Sequence, residues 1–137
     1  MVSGGGQGRR EVILIVDDDP EMRTSLAELL GECGYETLTE SGGAAALDLL
    51  DSLPPSTEEQ PCVMLVDVLM PEMDGYTFAF ASRSRPITAW VPVILMSAHH
   101  PSSMPHYVHD FLPKPLRFDR LLTAIRGAVR ARAQSCN

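Results

Sequence analysis

Short apolar runs recur along this chain, and each one stops at a residue that carries chemistry. Val12-Ile13-Leu14-Ile15-Val16 runs into Asp17, Asp18 and Asp19, and Val63-Met64-Leu65-Val66 runs into Asp67. Val93-Ile94-Leu95-Met96 ends at Ser97, and Phe111-Leu112-Pro113 leads into Lys114. Unbroken aliphatic runs of this length fit strands buried on both faces, the condition of a parallel sheet. Between them the apolar spacing changes to that of helices, so strands and helices alternate.

The helical signals are specific. Asp19 is placed to cap a helix that begins at Pro20, with Met22, Leu26, Leu29, Leu30 and Cys33 on one face and Gly34 as its stop. A short strand is predicted over 35–39, then a second helix capped by Ser41 and carrying Ala44 to Leu50. A polar, proline-rich loop occupies 51–61, and the third strand is predicted over 62–67. The turn Pro71-Glu72-Met73-Asp74-Gly75 opens a third helix ending near Arg85 and Pro86. Strands at about 91–96 and 111–113 follow, and a last helix presents Leu121, Leu122, Ile125 and Val129. Five such strands predict an α/β fold with a doubly wound parallel sheet, in which ligands gather beyond the carboxyl ends of the strands.

All the strand-end residues fall at that one edge. Clustered carboxylates repel one another unless a cation or a proton intervenes. An oxygen-rich, sulfur-free set suits a hard divalent ion such as Mg²⁺. An acid cluster, a single acid, a hydroxyl and an ammonium are together the equipment for moving a phosphoryl group onto a carboxylate. Where a dinucleotide binder would have its glycine-rich loop, this chain has three aspartates. Each residue also has an ordinary structural use: strand-end aspartates cap helices, and serine and lysine are common in turns. The joint placement of Asp18, Asp67, Ser97 and Lys114 favours the chemical reading, while Asp19 is read as a cap alone.

Four stretches carry a family resemblance: 13–20 around Asp17-Asp18-Asp19-Pro20, 64–75 around Asp67, 94–98 ending in Ser97-Ala98, and 111–116 around Lys114-Pro115. In this order, and covering 11 to about 131, they resemble the CheY-like receiver domain of two-component response regulators, a flavodoxin-like fold. The resemblance implies that Asp67 is the phosphoacceptor and that Asp18 ligates Mg²⁺ (or Mn²⁺) directly. Asp17 is then the neighbour acting largely through metal-bound water, and the backbone carbonyl of Leu69 is a third protein ligand. It further implies that Ser97 turns toward the phosphoryl group after transfer, that Lys114 pairs with the acceptor, and that Phe111 is the switch aromatic. A cis Lys114-Pro115 bond is also implied. The phosphoryl donor would be a histidine kinase or phosphotransfer protein.

One segment departs from the pattern. Residues 98–110 hold Pro101, Pro105 and the Ser102-Ser103 pair, so the fourth helix of the family is expected to be missing or reduced to one turn. All four histidines, His99, His100, His106 and His109, lie here, in a spacing that matches no established metal pattern, and a polar mobile loop is expected.

With 137 residues the chain fits one domain, expected as a flexible tail over 1–9, a receiver over 10–134 and a C-terminal tail over 135–137. A net charge of −7 argues against direct nucleic-acid binding, and no apolar run is long enough for membrane insertion. Cys33, Cys62 and Cys136 are odd in number and widely spaced, which fits reduced thiols and a cytoplasmic setting. The expected function is a phosphorylatable signalling receiver, not an enzyme acting on outside substrates. The alternative is a receiver-fold interaction module that is never phosphorylated. A phosphatase or other hydrolase is disfavoured, because Leu69 rather than an acid stands two residues after Asp67.

Overall fold

The computed structural model describes residues 11–55 and 59–136. Five strands, β1 (Val12–Val16), β2 (Glu36–Glu40), β3 (Val63–Asp67), β4 (Val93–Ser97) and β5 (Asp110–Pro113), form one sheet. The order is β2-β1-β3-β4-β5 and every pairing is parallel. Four helices accompany them: α1 (Pro20–Glu32), α2 (Gly43–Ser52), α3 (Gly75–Arg83) and α4 (Phe118–Cys136). The expected doubly wound architecture is therefore present. The expected N-terminal tail lies outside the described residues.

β1, β3 and β4 are buried at every position. Successive side chains point to opposite faces of the sheet, so each strand feeds two cores. Ile13, Ile15, Val63, Leu65, Ile94 and Met96 pack with Leu26 and Leu30 of α1 and Leu121 and Ile125 of α4. On the other face, Leu14, Val16, Met64, Val66 and Leu95 pack with Ala46 and Leu50 of α2 and Phe78 and Ala79 of α3. At roughly 1.5–3 kcal/mol for each fully buried large aliphatic or aromatic side chain, these two layers dominate the stability of the fold.

Several local signals act as expected. Asp19 accepts the Glu21 N–H at 3.0 Å and Pro20 opens α1. Gly34, with φ +98°, follows the Cys33 cap. Others differ. Ser41 does not cap α2: its N-cap is Gly42, with no side-chain bond. α3 stops at Arg83, where the Ser84 hydroxyl donates to the Phe80 carbonyl at 2.9 Å and competes with the helix ladder. Residues 135 and 136, expected in a tail, belong to α4, since no proline or glycine follows Gly127 to break it.

The β4–β5 connection, 98–109, contains no α-helix. A single turn is closed there by the Val108 N–H on the Pro105 carbonyl at 3.0 Å. Val108 is buried, Tyr107 packs on the same core, and the His109 N–H donates to the Val93 carbonyl at 2.8 Å. The end of the connection is thus anchored, while 98–104 is mostly exposed.

Candidate functional site

β1 lies between β2 and β3, so the chain reverses direction across the sheet at the β1/β3 boundary. Register sets the depth of each reactive residue at that boundary. Val16 pairs with Val66, which brings Asp17 and Asp67, the next residue on each strand, to the same level. Asp67 pairs with Met96, and Ser97 with Pro113, so Ser97 and Lys114 follow in steps across the edge. The Lys114 N–H donates to the Ser97 carbonyl at 2.8 Å, which ties the β5 exit to β4. The Lys114–Pro115 peptide bond is cis.

Asp17 is fully buried and Asp67 is 6% exposed, whereas Asp18 faces solvent. One oxygen from each of the three carboxylates falls within a group spanning at most 4.8 Å. Lys114 Nζ stands 3.3 Å from Asp17 Oδ2 and 3.3 Å from Asp67 Oδ1. Asp17 Oδ1 accepts the Asp19 N–H at 2.9 Å, so the Asp17 carboxylate is held on both oxygens.

Three carboxylates against one ammonium leave a local charge of about −2, which a divalent cation would neutralise. Mg²⁺ bonds oxygen at about 2.0–2.1 Å in octahedral geometry, so its ligands stand about 3–4 Å apart. The three carboxylate oxygens, all within 4.8 Å of one another, lie close to that spacing. The residues present fit such an ion in donor type, charge and spacing. Among the described residues this trio is the one group of metal-capable side chains with ligand spacing, and no histidine belongs to such a group.

The electrostatics are uneven. Burial, and then the neighbouring Asp17, push Asp67 above the usual carboxylate range, against the lowering pull of Lys114. For Lys114 burial acts to lower the pKa, but Asp17 and Asp67 together outweigh it and hold the ammonium above its ordinary range. The site therefore favours a charged Lys114 and makes the charged form of Asp67 costly.

Ser97 is buried, and its Oγ accepts the His99 N–H at 3.0 Å. Phe111 is half-buried on β5, with its ring stacked on His100 at a centroid distance of 5.7 Å and an interplanar angle of 24°. Leu69 lies in the β3–α3 turn with its side chain 61% exposed.

Two contributors were not singled out from the sequence. Arg23 Nη1 donates to the Asp17 carbonyl at 2.7 Å, bracing the chain where it turns from β1 into α1. No motif marks such a bond. A Cβ on Gly75 would stand 2.6 Å from the Asp67 carbonyl oxygen. The Gly75 N–H also donates to the Val68 carbonyl at 2.9 Å, so α3 starts directly against the end of β3. Asp74-Gly75 was visible in the sequence as a turn, but the close approach was not.

Comparison with known proteins agrees with this arrangement. The sequence model of the response regulator receiver domain matches residues 13–126, a span that holds every residue of the site. The chain is 32% identical over 123 residues to the response regulator MprA of Mycolicibacterium vanbaalenii, covering 86% of this chain and 50% of that protein. It is 31% identical over 126 residues to the DNA-binding transcriptional regulator NtrC of Escherichia coli, covering 88% of this chain and 25% of that protein. The chain thus spans between a quarter and a half of these relatives. A putative response regulator from Chloroflexus aurantiacus superposes with a TM-score of 0.76 at 27% identity, covering 88% of this chain and 98% of that one. A parallel five-stranded sheet, an acid cluster braced by a lysine at its carboxyl edge and a match over most of the length lead to one assignment: the chain belongs to the response regulator receiver domain family.

Proposed function

We propose that this chain is a phosphorylatable signalling receiver that accepts a phosphoryl group on Asp67 from the phosphohistidine of a histidine kinase or phosphotransfer protein. The observation that carries the reading is the position of Lys114 Nζ, 3.3 Å from both Asp17 and Asp67, beside carboxylate oxygens within 4.8 Å of one another.

In the proposed step an Asp67 carboxylate oxygen forms the new O–P bond. The N–P bond to the donor imidazole breaks, and that nitrogen takes up a proton. Asp18, Asp67, the Leu69 carbonyl and, through water, Asp17 would hold Mg²⁺ or Mn²⁺, which supplies charge neutralisation on the phosphoryl oxygens. Lys114 offsets the remaining negative charge. Water later cleaves the acyl phosphate, releasing inorganic phosphate and restoring the carboxylate. The chain thus promotes only its own modification and its reversal.

Ser97 and Phe111 are proposed as the residues that report the modification. The Ser97 hydroxyl would give up its His99 contact to donate to a phosphoryl oxygen, and Phe111 would leave the His100 ring for the space vacated. No helix among the described residues is long and apolar enough to cross a membrane. Together with the scattered cysteines, that supports a cytoplasmic setting.

The test is incubation with acetyl phosphate and Mg²⁺ followed by intact-mass measurement. Wild type gains one phosphoryl group, and neither Asp67→Asn nor the EDTA-treated protein does. Equal labelling of wild type and Asp67→Asn would place the acceptor elsewhere and end this reading.

A further inference from the structure

The 35 residues between Asp74 and Asp110 contain no Asp or Glu, although the chain has 18 acids and a net charge of −7. The same stretch holds Arg83, Arg85 and all four histidines. In the fold it forms α3, β4 and the two connections around β4, and its residues Phe78, Val91, Val93, Tyr107 and Val108 share one core, so the acid-free stretch forms a flank on the α3 face of the sheet. Arg85 is engaged with Asp51 across to α2, while Arg83 is exposed and lines a cavity.

Parallel strands are normally joined by a helix that buries the sheet face and its neighbours. Here 98–109 has none, and Phe80 and Trp90 each remain 58% exposed. Phe80 meets Tyr107 edge to face at 5.5 Å, and Tyr107 meets His106 the same way at 5.6 Å. Arg83, Trp90, His106, Tyr107 and His109 line one cavity of about 220 Å³ with Val93. Val93 starts β4 and Ser97 ends it, so this cavity lies at the opposite edge of the sheet from the carboxylates.

Trp, Tyr and Arg around a small recess are the composition of an interface centre. Small-molecule sites usually enclose about 300–1,000 Å³, so 220 Å³ is room for one inserted side chain rather than a whole substrate. Arg83 is the one formal charge among the residues lining the cavity, and with no acid beside it there its sign selects the partner. We propose that this flank docks an acidic segment of a partner protein, which inserts one aromatic or aliphatic side chain among Trp90, Tyr107 and His106 while its carboxylates face Arg83 and His109. A nucleic acid would bring many phosphates against a chain of net charge −7, whereas a short acidic segment brings a few charges to the acid-free flank alone. The docking surface does not depend on Asp67 being modified.

The test uses the whole chain to select binders from a phage-displayed library of random peptides about 12 residues long. Trp90 is the only tryptophan, so its emission reports binding at this site directly. The expected result is enrichment of peptides with Asp or Glu flanking one large apolar residue, and a saturable shift of Trp90 emission to shorter wavelength. Arg83→Glu and His106→Glu, both at exposed positions, keep the wild-type circular dichroism and weaken the selected peptides at least about tenfold. Absence of enrichment, enrichment of neutral or basic peptides, or undiminished binding to both variants overturns the proposal. Tighter saturation by a single-stranded oligonucleotide than by any selected peptide also overturns it.

Discussion

Asp67 is held between opposing influences, and their balance can be read from stability. Its pKa is raised in the fold, by burial first and by Asp17 second. A raised carboxylate contributes stability that is fully present below its unfolded pKa and is lost as pH rises through the folded value. At neutral pH the metal-free site therefore carries a destabilising charge. Asp67→Asn is expected to raise the melting temperature in EDTA at pH 7, each kcal/mol gained reading as about 4 °C in a domain of this size. The advantage should vanish as pH falls below the ordinary carboxylate range, where wild type is protonated as well. A variant that melts lower than wild type at pH 7 would mean that the Lys114 contact outweighs burial. Lys114 shows the converse. Its pKa is also raised, so its contribution is present below the ordinary lysine range and is lost as pH climbs through the raised value. Lys114→Ala leaves the buried Asp17 without its cation and is expected to cost about 2 kcal/mol at pH 7, measured by urea unfolding. An unchanged midpoint would show that Asp17 is stabilised from elsewhere.

Two elements position the site, one by contact and one by its freedom to change. The start of α3 touches β3, and Gly75→Ala would drive a Cβ to 2.6 Å from the Asp67 carbonyl oxygen. Backbone must move to relieve that overlap, so a loss of about 1–3 kcal/mol is expected together with slower phosphorylation of Asp67. Normal labelling kinetics in a destabilised Gly75→Ala protein would separate the α3 packing from the chemistry. The β4–β5 connection divides in two: 105–109 is tied down by the Pro105–Val108 turn and the His109 bond to Val93, whereas 98–104 meets the rest through the Ser97–His99 and His100–Phe111 contacts. Both of those contacts involve the residues proposed to move. Beryllofluoride with Mg²⁺ is therefore expected to change amide exchange selectively in 98–104, with greater protection in the acyl-phosphate mimic, while Val108 and His109 stay as they are. Strong protection of 98–104 already in the resting protein would identify a fixed surface rather than a responsive one.

At the scale of the whole molecule, three carboxylates facing one ammonium are expected to tie global stability to divalent cations. An ion that binds the folded cluster and not the unfolded chain stabilises by about 1.4 kcal/mol at ten times its Kd, or about 6 °C. Millimolar Mg²⁺ is expected to raise the melting temperature of wild type, and the increment should shrink in Asp18→Ala, whose exposed side chain contributes little to the core. A melting curve indifferent to Mg²⁺ in wild type would mean that the cluster does not bind the ion in this range.

Most of this arrangement was legible in the residues because it depends on local, periodic rules. Unbroken aliphatic runs at 12–16, 63–66 and 93–96 demand burial on both faces, and helical spacing between them leaves few options other than a doubly wound parallel sheet. The residue that ends each run then falls at a common edge, which is why the grouping of Asp17, Asp67, Ser97 and Lys114 is legible in the sequence. The prolines at 101 and 105 ruled out a long helix between β4 and β5 for an equally local reason. Three-dimensional packing decided what no local rule encodes: how near α3 comes to Asp67, that Arg23 braces Asp17, that Val108 is a core residue inside a polar segment, and that the acid-free stretch lines most of a cavity closed by Ala131 of α4. Each depends on which distant surface an element meets. Distances between such surfaces follow from how the two cores close as a whole, and spacing along the chain does not specify them.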